Sequence, residues 1–158
     1  MATDKPDILF SGSWKGERAV RSLGETAALA GELLPLLIKA GTISLEGPLG
    51  AGKTHFVKAV ALALGIREEV TSPTFTLIQS YGSDGRELHH SDWYRLVSVQ
   101  EALALGIEEY QGDGLLMIEW GDRFPELLPH GTLRIRIAPQ PDGSRLMTWH
   151  ADSPKRPQ

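Results

Sequence analysis

The residues whose types and spacing most clearly allow chemistry lie at positions 47–54, a glycine-rich segment that ends in Lys53 and Thr54. The segment matches G-x-x-x-x-G-K-[ST], in which glycines let backbone N–H groups approach phosphate oxygens without an intervening Cβ. A helix beginning near Lys53 would add its dipole and its unpaired N–H groups. We expect Lys53 to reach the β- and γ-phosphates of a nucleotide and the Thr54 hydroxyl to ligate Mg²⁺. An ordinary strand-to-helix turn is the alternative, but the flanking strand and helix patterns favour nucleotide binding.

Two acidic residues could complete such a site. Four consecutive apolar residues, 115–118, predict a strand buried on both faces, and Glu119 stands at its carboxyl end, where open α/β sheets bind ligands. We expect Glu119 either to hold the Mg²⁺ shell or to polarise the attacking water. Asp92 falls late in a strand predicted for residues 87–94 and could reach the same edge, although a solvated or capping aspartate is the alternative. The residues leave open which acid would orient water.

Two further polar segments have more than one interpretation. Residues 71–76 are rich in hydroxyls, which β-propensity explains as well as a loop that orders around a γ-phosphate or Mg²⁺. His89 and His90 are adjacent, and the two-residue period of a strand points them to opposite faces. We therefore do not expect them to share a metal ion.

Composition limits the class of protein. A chain of 158 residues has the size of one domain, which buries about 70% of the surface of its unfolded chain. The absence of cysteine excludes disulfides and fits a cytoplasmic protein. A net charge of −4 argues against a broad basic face that grips DNA or RNA. Residues 1–7 lack a signal-peptide core, and the apolar run 33–38 is too short to span a membrane.

The order of the apolar patterns predicts a single domain over residues 1–158 with a disordered tail at about 153–158. We expect a first strand at residues 7–13 and then, from residue 16 onward, an amphipathic helix that Pro35 ends or kinks. The expected helix face consists of Val20, Leu23, Ala27, Ala30 and Leu34.

Later segments extend the alternation of strands and helices. A helix after Thr54 should pack behind the phosphate-binding loop, and Ser98 should cap a helix over residues 98–105. A short helix is expected near residues 122–128, and strands at about 132–138 and 145–150 should form a hairpin. The predicted fold is α/β, a P-loop NTPase-like three-layer domain with a central, mostly parallel (mixed) sheet and helices on both faces.

Several motifs occur in an order that resembles the TsaE (YjeE) family, over about residues 16–145. They are residues 49–54, residues 72–77, His90-x-Asp92-x-Tyr94-Arg95, residues 105–107 and Ile118-Glu119-Trp120. The resemblance implies the ATPase subunit of the bacterial machinery that makes threonylcarbamoyladenosine in tRNA, using ATP and Mg²⁺. Its expected partners are TsaB and TsaD, with tRNA reached only through that complex, and neither a membrane nor DNA is expected as a partner.

The resemblance also assigns roles to individual residues. Lys53, Asp92 and Glu119 would be catalytic, and Thr54 and Glu119 would share the Mg²⁺. The expected nucleotide-binding residues are Glu17, Leu49, Gly50, Ala51, Gly52, Lys53, Thr54, His55, Thr74, Asp92 and Arg145. Thr74 belongs to a segment that resembles the first switch of the family, and Trp120 completes a Glu-Trp pair that bears on activity. Gly121 replaces a proline of many members, which we expect to change only loop stiffness.

The resulting interpretation is Mg²⁺-dependent ATP hydrolysis that is slow until partners order the switch segments. One alternative is a small-molecule or nucleoside kinase, which would need an acceptor pocket and usually an arginine-bearing lid. Between Asp92 and Glu119 there is room for one short helix, and Arg95 is the only arginine there, so a lid is hard to find. The second alternative is an interaction module that responds to nucleotide without hydrolysing it.

Overall fold

The computed structural model describes residues 14–73 and 77–151, and a seven-stranded sheet runs through them. The strands are β1 (Lys15–Val20), β2 (Thr42–Glu46), β3 (Ile78–Tyr81), β4 (Leu88–Asp92), β5 (Leu115–Glu119), β6 (Leu133–Pro139) and β7 (Arg145–Ala151). Their order in the sheet is β1-β7-β6-β2-β5-β4-β3. Neighbours within β6-β2-β5-β4 are parallel, whereas β1 with β7, β7 with β6 and β3 with β4 are antiparallel. The predicted α/β fold with a mixed sheet is therefore confirmed.

Helices cover both faces of this sheet. Helices α1 (Leu23–Ala40) and α2 (Lys53–Ala63) pack together on one face, over a core that includes Ile43 and Met117. The short helix α3 (Val99–Leu103) and three 3₁₀ segments, Ile107–Tyr110, Gly121–Arg123 and Pro125–Leu127, accompany a second core. That core contains Trp93, Leu116 and Ile118. The three-layer arrangement is confirmed, although the helix predicted near residues 122–128 consists of two 3₁₀ turns.

The prediction for the first helix was wrong at its start, and of the two effects expected of Pro35 the structure does not show the helix ending there. Residues 15–20 form a strand, and α1 begins only at Leu23, where the Ser22 hydroxyl accepts the N–H of Glu25 at 3.1 Å. The helix then continues through Pro35 to Ala40. Its buried face is also shifted, and consists of Leu29, Ala30, Leu33, Leu36, Leu37 and Ala40. Pro35 is exposed, so the backbone carbonyl that its missing N–H leaves unpaired can bind water.

Some expectations lie outside the described residues. The strand predicted at residues 7–13, the disordered tail predicted at 153–158 and the nucleotide contact predicted for Thr74 all belong to this group. Within residues 14–73 and 77–151, no helix combines the length and apolar character needed to cross a membrane.

Gly121 does more than the expected change in loop stiffness, because it packs closely against a buried side chain. A Cβ at Gly121 would lie 2.3 Å from Oγ and 3.0 Å from Cβ of Ser44, whose side chain is fully buried. We therefore expect Gly121→Ala to lower the free energy of unfolding by about 1–3 kcal/mol through overpacking, as measured by urea denaturation. Gly31→Ala is the matched control, because a Cβ there meets no atom within 4 Å. If Gly121→Ala were as stable as Gly31→Ala, this close packing would be contradicted.

Candidate nucleotide-binding site

The glycine-rich segment connects β2 to α2 at the carboxyl end of the central strands. Gly47 has a φ of +144°, and a Cβ there would lie 2.4 Å from the carbonyl oxygen of Ile137. Gly52 has a φ of +109° and immediately precedes Lys53, the first residue of α2. Both positions require glycine, since L side chains rarely adopt these conformations and Gly47 has no space for one. The loop therefore closes tightly and leads directly into the amino end of a helix.

Lys53 lies against its own loop. Its side-chain ammonium donates to the carbonyl oxygens of Gly47 at 2.7 Å and Pro48 at 2.8 Å, and only 5% of the residue is exposed. The same nitrogen lies 4.3 Å from the ring centroid of Trp120. Burial lowers the pKa of Lys53, and the negative charge of Glu119 is the main effect opposing it. The positive group is thus held at the loop by short contacts with partial negative charge.

Glu119 joins the phosphate-binding loop to the neighbouring strands. Its Oε2 accepts a hydrogen bond from the Thr54 hydroxyl at 2.7 Å, and the Nε2 of His90 lies 2.7 Å from the same oxygen. The residue is 4% exposed. Thr54 and Glu119 supply neighbouring hydroxyl and carboxylate oxygens, which is the donor chemistry that Mg²⁺ prefers. The residues present therefore fit the metal predicted from the sequence.

Asp92 lies beside Glu119 because β4 and β5 are parallel and place these two residues in register. Its Oδ1 accepts the N–H of Tyr94 at 2.9 Å, and the residue is half-buried. Burial raises the pKa of Asp92, and the nearby Glu119 charge adds to this increase, while the Tyr94 N–H opposes it. The site therefore contains two carboxylates in different settings, one fully buried and one partly open.

The raised pKa of Asp92 predicts a pH effect on stability. Since the folded protein binds this proton more tightly than the unfolded chain, the free energy of unfolding from this group decreases as pH rises from about 4 through the folded pKa. Asp92→Asn does not titrate and keeps an oxygen for Tyr94. The variant should therefore gain stability over wild type as pH rises through that window. Urea denaturation of both proteins across the pH range measures this difference; a gain confined to acidic pH would contradict it.

A cavity of about 360 Å³ lies above these groups. Among the predicted site residues, those that line it are Leu49, Gly50, Gly52, Lys53, Thr54, His55, Asp92, Glu119 and Arg145. Ser72, Tyr94 and Trp120 complete the lining. A larger cavity of about 700 Å³ lies at the opposite edge of the sheet and has none of these residues in its wall. The chemistry therefore points to the smaller cavity.

The remaining predicted residues have different positions. Ala51 is fully buried within the loop, and the Nε atom of Arg145 is buried against Gly52 without a hydrogen-bond partner among the described residues. Glu17 is exposed on the edge strand β1, paired with Thr148, and does not line the cavity. The nucleotide contacts expected for Glu17 and Arg145 stay predictions.

Two residues of the site received no role from sequence reasoning. Tyr94 packs its ring 4.9 Å from that of Trp120 at the mouth of the cavity. His90 is fully buried beneath Glu119. The two-residue period of a strand places His90 on the same face as Asp92, and this is the sign in the sequence that His90 belongs with the acids. Its contact with Glu119 depends on the pairing of β4 with β5, which local sequence does not specify.

A protein family and several named proteins match most of this chain. The family "Threonylcarbamoyl adenosine biosynthesis protein TsaE" matches residues 20–147. The tRNA threonylcarbamoyladenosine biosynthesis protein TsaE of Treponema pallidum is 44% identical over 81% of this chain and 95% of its own. The protein of the same name from Bacillus subtilis is 42% identical over 80% of both chains.

A solved structure is similar over most of its length as well. The crystal structure of YdiB from Bacillus subtilis superposes with a TM-score of 0.70 at 33% identity, covering 88% of this chain and 86% of that one. The match to the family spans the glycine-rich loop, Asp92 and Glu119, and nearly all of the described sheet. The chain therefore belongs to the TsaE family of threonylcarbamoyl adenosine biosynthesis proteins.

Proposed function

We propose that this protein is an Mg²⁺-dependent ATP-binding and ATP-hydrolysing subunit that supports threonylcarbamoyladenosine modification of tRNA through a complex with TsaB and TsaD. The observation that carries the proposal is the 2.7 Å contact between the Thr54 hydroxyl and Glu119, beside Lys53 in one cavity. This contact joins the hydroxyl of the phosphate-binding loop to the acid at the end of a buried strand, as an ATP site of this class requires.

Binding would use the loop and the start of α2. Backbone N–H groups of the loop and the amino end of α2 favour an anionic phosphate chain. On binding, Lys53 would exchange its bonds to the carbonyls of Gly47 and Pro48 for bonds to phosphate oxygens. Thr54 and Glu119 would hold Mg²⁺, which neutralises charge on the phosphates when it is bound. Arg145, which lies against Gly52, would add a second positive group at the loop.

Hydrolysis would depend on different roles for the carboxylates of Glu119 and Asp92. One oxygen of Glu119 already accepts the Thr54 hydroxyl and lies within hydrogen-bond distance of His90, which suits it to the metal side of the cavity. Asp92 is less buried and lies next to Glu119, with Oδ1 held by the Tyr94 N–H. We assign the orientation of the attacking water to Asp92. Partner proteins would accelerate turnover by ordering the loops around this water.

Phosphate release from ATP tests the catalytic half of the proposal. Purified protein should release inorganic phosphate from ATP slowly, only with Mg²⁺, and faster when TsaB and TsaD are added. Transfer of the phosphate to an added nucleoside instead of water would favour the kinase alternative. Absence of release under all these conditions would contradict ATP hydrolysis.

Partner capture tests the proposed complex with TsaB and TsaD. Tagged protein should retain TsaB and TsaD, and the amounts retained should differ between samples with and without ATP. Capture that responds to ATP but is the same for a hydrolysis-deficient variant would favour an interaction module. Failure to retain either protein under both conditions would contradict the proposed complex.

A further inference from the structure

We propose that His90 is a positioning residue that orients the Glu119 carboxylate for Mg²⁺, an inference that rests on the proposed function. His90 lies directly below the acid, with its Nε2 at 2.7 Å from the Oε2 of Glu119. That same oxygen accepts the Thr54 hydroxyl. The three side chains thus form one line of contacts, from the core of the sheet to the first turn of α2.

The direction of the contact follows from its chemistry. An ionised carboxylate has only acceptors, so the Nε2 of His90 carries the hydrogen and donates it. A donor fixed in this way limits rotation of the Glu119 carboxyl group, because it ties Oε2 to a rigid, fully buried ring. Donors that hold a metal-binding carboxylate are known to tune metal affinity, and their removal typically lowers it about 10–100-fold.

The second ring nitrogen of His90, Nδ1, is not hydrogen-bonded to any described residue, so satisfying the polar groups of the ring does not explain the position of this residue. Among the residues that the structure describes, Nδ1 has no hydrogen-bond partner and is buried. Buried polar atoms are usually paired, and an apolar side chain at this position would avoid an unpaired one. The contact with Glu119 is thus the only hydrogen bond that the described structure gives this ring.

The adjacent histidine provides the contrast. His89 is also buried, but on the opposite face, where Nδ1 lies 2.7 Å from the hydroxyl of Ser80 and Nε2 lies 2.7 Å from the carbonyl oxygen of Asp113. Both of its nitrogens are paired with groups far from the cavity, as expected of a structural histidine. His89 is therefore a matched control for losing a buried imidazole from the same strand.

The test compares ADP affinity with and without Mg²⁺ by isothermal titration calorimetry. The dissociation constant without Mg²⁺ divided by the dissociation constant with Mg²⁺ reports how strongly the metal favours ADP binding. His90→Asn is polar but too short to reach Glu119, and should reduce this ratio about 10-fold or more. His90→Gln has an amide nitrogen near the position of Nε2 and should keep the ratio within about 3-fold of wild type. All variants should bind ADP in EDTA as wild type does, and His89→Gln should leave the ratio unchanged.

The outcomes separate this inference from the proposed function. If wild type binds ADP more tightly with Mg²⁺ and His90→Asn does so to the same extent, the positioning role is overturned. Equal losses in His90→Asn, His90→Gln and His89→Gln would mean a structural role, and would overturn it too. If wild type shows no effect of Mg²⁺ on ADP affinity, the proposed metal site and this inference both fail. Circular dichroism checks that each variant is folded.

Discussion

Lys53→Ala is expected to reduce ATP turnover at least about a hundredfold, which corresponds to the loss of a charged group that contacts the reacting phosphates. The ammonium lies in the loop, 2.7 Å from the carbonyl oxygen of Gly47, and lines the cavity with Thr54 and Glu119. Alanine preserves the helix but removes the positive charge nearest to the expected phosphate position. We expect ATP affinity to fall with turnover, since this charge would act in both the ground state and the transition state.

The control for this prediction lies on the same helix. Lys58 is exposed and lies further along the helix than Lys53, so Lys58→Ala changes net charge equally without touching the cavity. Steady-state phosphate release and ATP binding by calorimetry should be near wild type for Lys58→Ala. Full hydrolysis by a folded Lys53→Ala protein would remove the loop from the proposed chemistry.

The central part of this fold was predictable because its signals are local. Residues 42–54 carry their own strand, turn and helix-start patterns, and the structure has β2, the loop and α2 where these patterns predict them. The apolar run of β5 is likewise buried along its whole length. An Asp-Gly pair is itself a local signal for a tight hairpin turn, and Asp84 and Gly85 have the positive φ values of 57° and 83° that such a turn requires.

The edge strand β1 was not predictable, because the contacts that form it are not local in sequence. Strand β1 has no alternation of apolar and polar residues, and only Val20 is buried among its six residues. It is a strand because its backbone pairs with β7, from Lys15 opposite His150 to Val20 opposite Arg145. Such pairing joins segments far apart in sequence, so a local pattern cannot reveal it. The helix predicted from residue 16 onward therefore begins only at Leu23.

In the site, too, features that are local in sequence were predictable, and contacts between distant segments were not. The residue types at Lys53, Thr54, Asp92 and Glu119 indicated their chemistry, and the structure brings these four together around one cavity. Which side chains touch depends on strand order and register, since β4 and β5 are neighbours with Asp92 opposite Glu119. The contact of His90 with Glu119 depends on that register. This is why the residues of the cavity were predictable and the support beneath it was not.

Glu119→Gln should leave Mg²⁺-free ADP binding nearly unchanged and lower Mg²⁺-dependent ATP turnover by about 100–1,000-fold. Glutamine keeps the volume of the side chain and one oxygen, but it loses the charge that would hold the metal with Thr54. In the wild-type protein, Oε2 of Glu119 accepts the Thr54 hydroxyl and lies beside His90. An amide can present either its oxygen or its NH₂ to these groups, so the geometry expected for the metal is lost together with the charge.

Glu69→Gln controls for net charge, because Glu69 is exposed and does not line the cavity. Comparing the two variants at several Mg²⁺ concentrations separates weak metal binding from impaired chemistry. Recovery of Glu119→Gln turnover at high Mg²⁺ would show that the carboxylate acts mainly by holding the metal. A low rate that Mg²⁺ does not restore would place Glu119 in the chemical step, in competition with the water-orienting role assigned to Asp92. Wild-type turnover at every Mg²⁺ concentration would exclude Glu119 from the site, and the contact with Thr54 would then be structural.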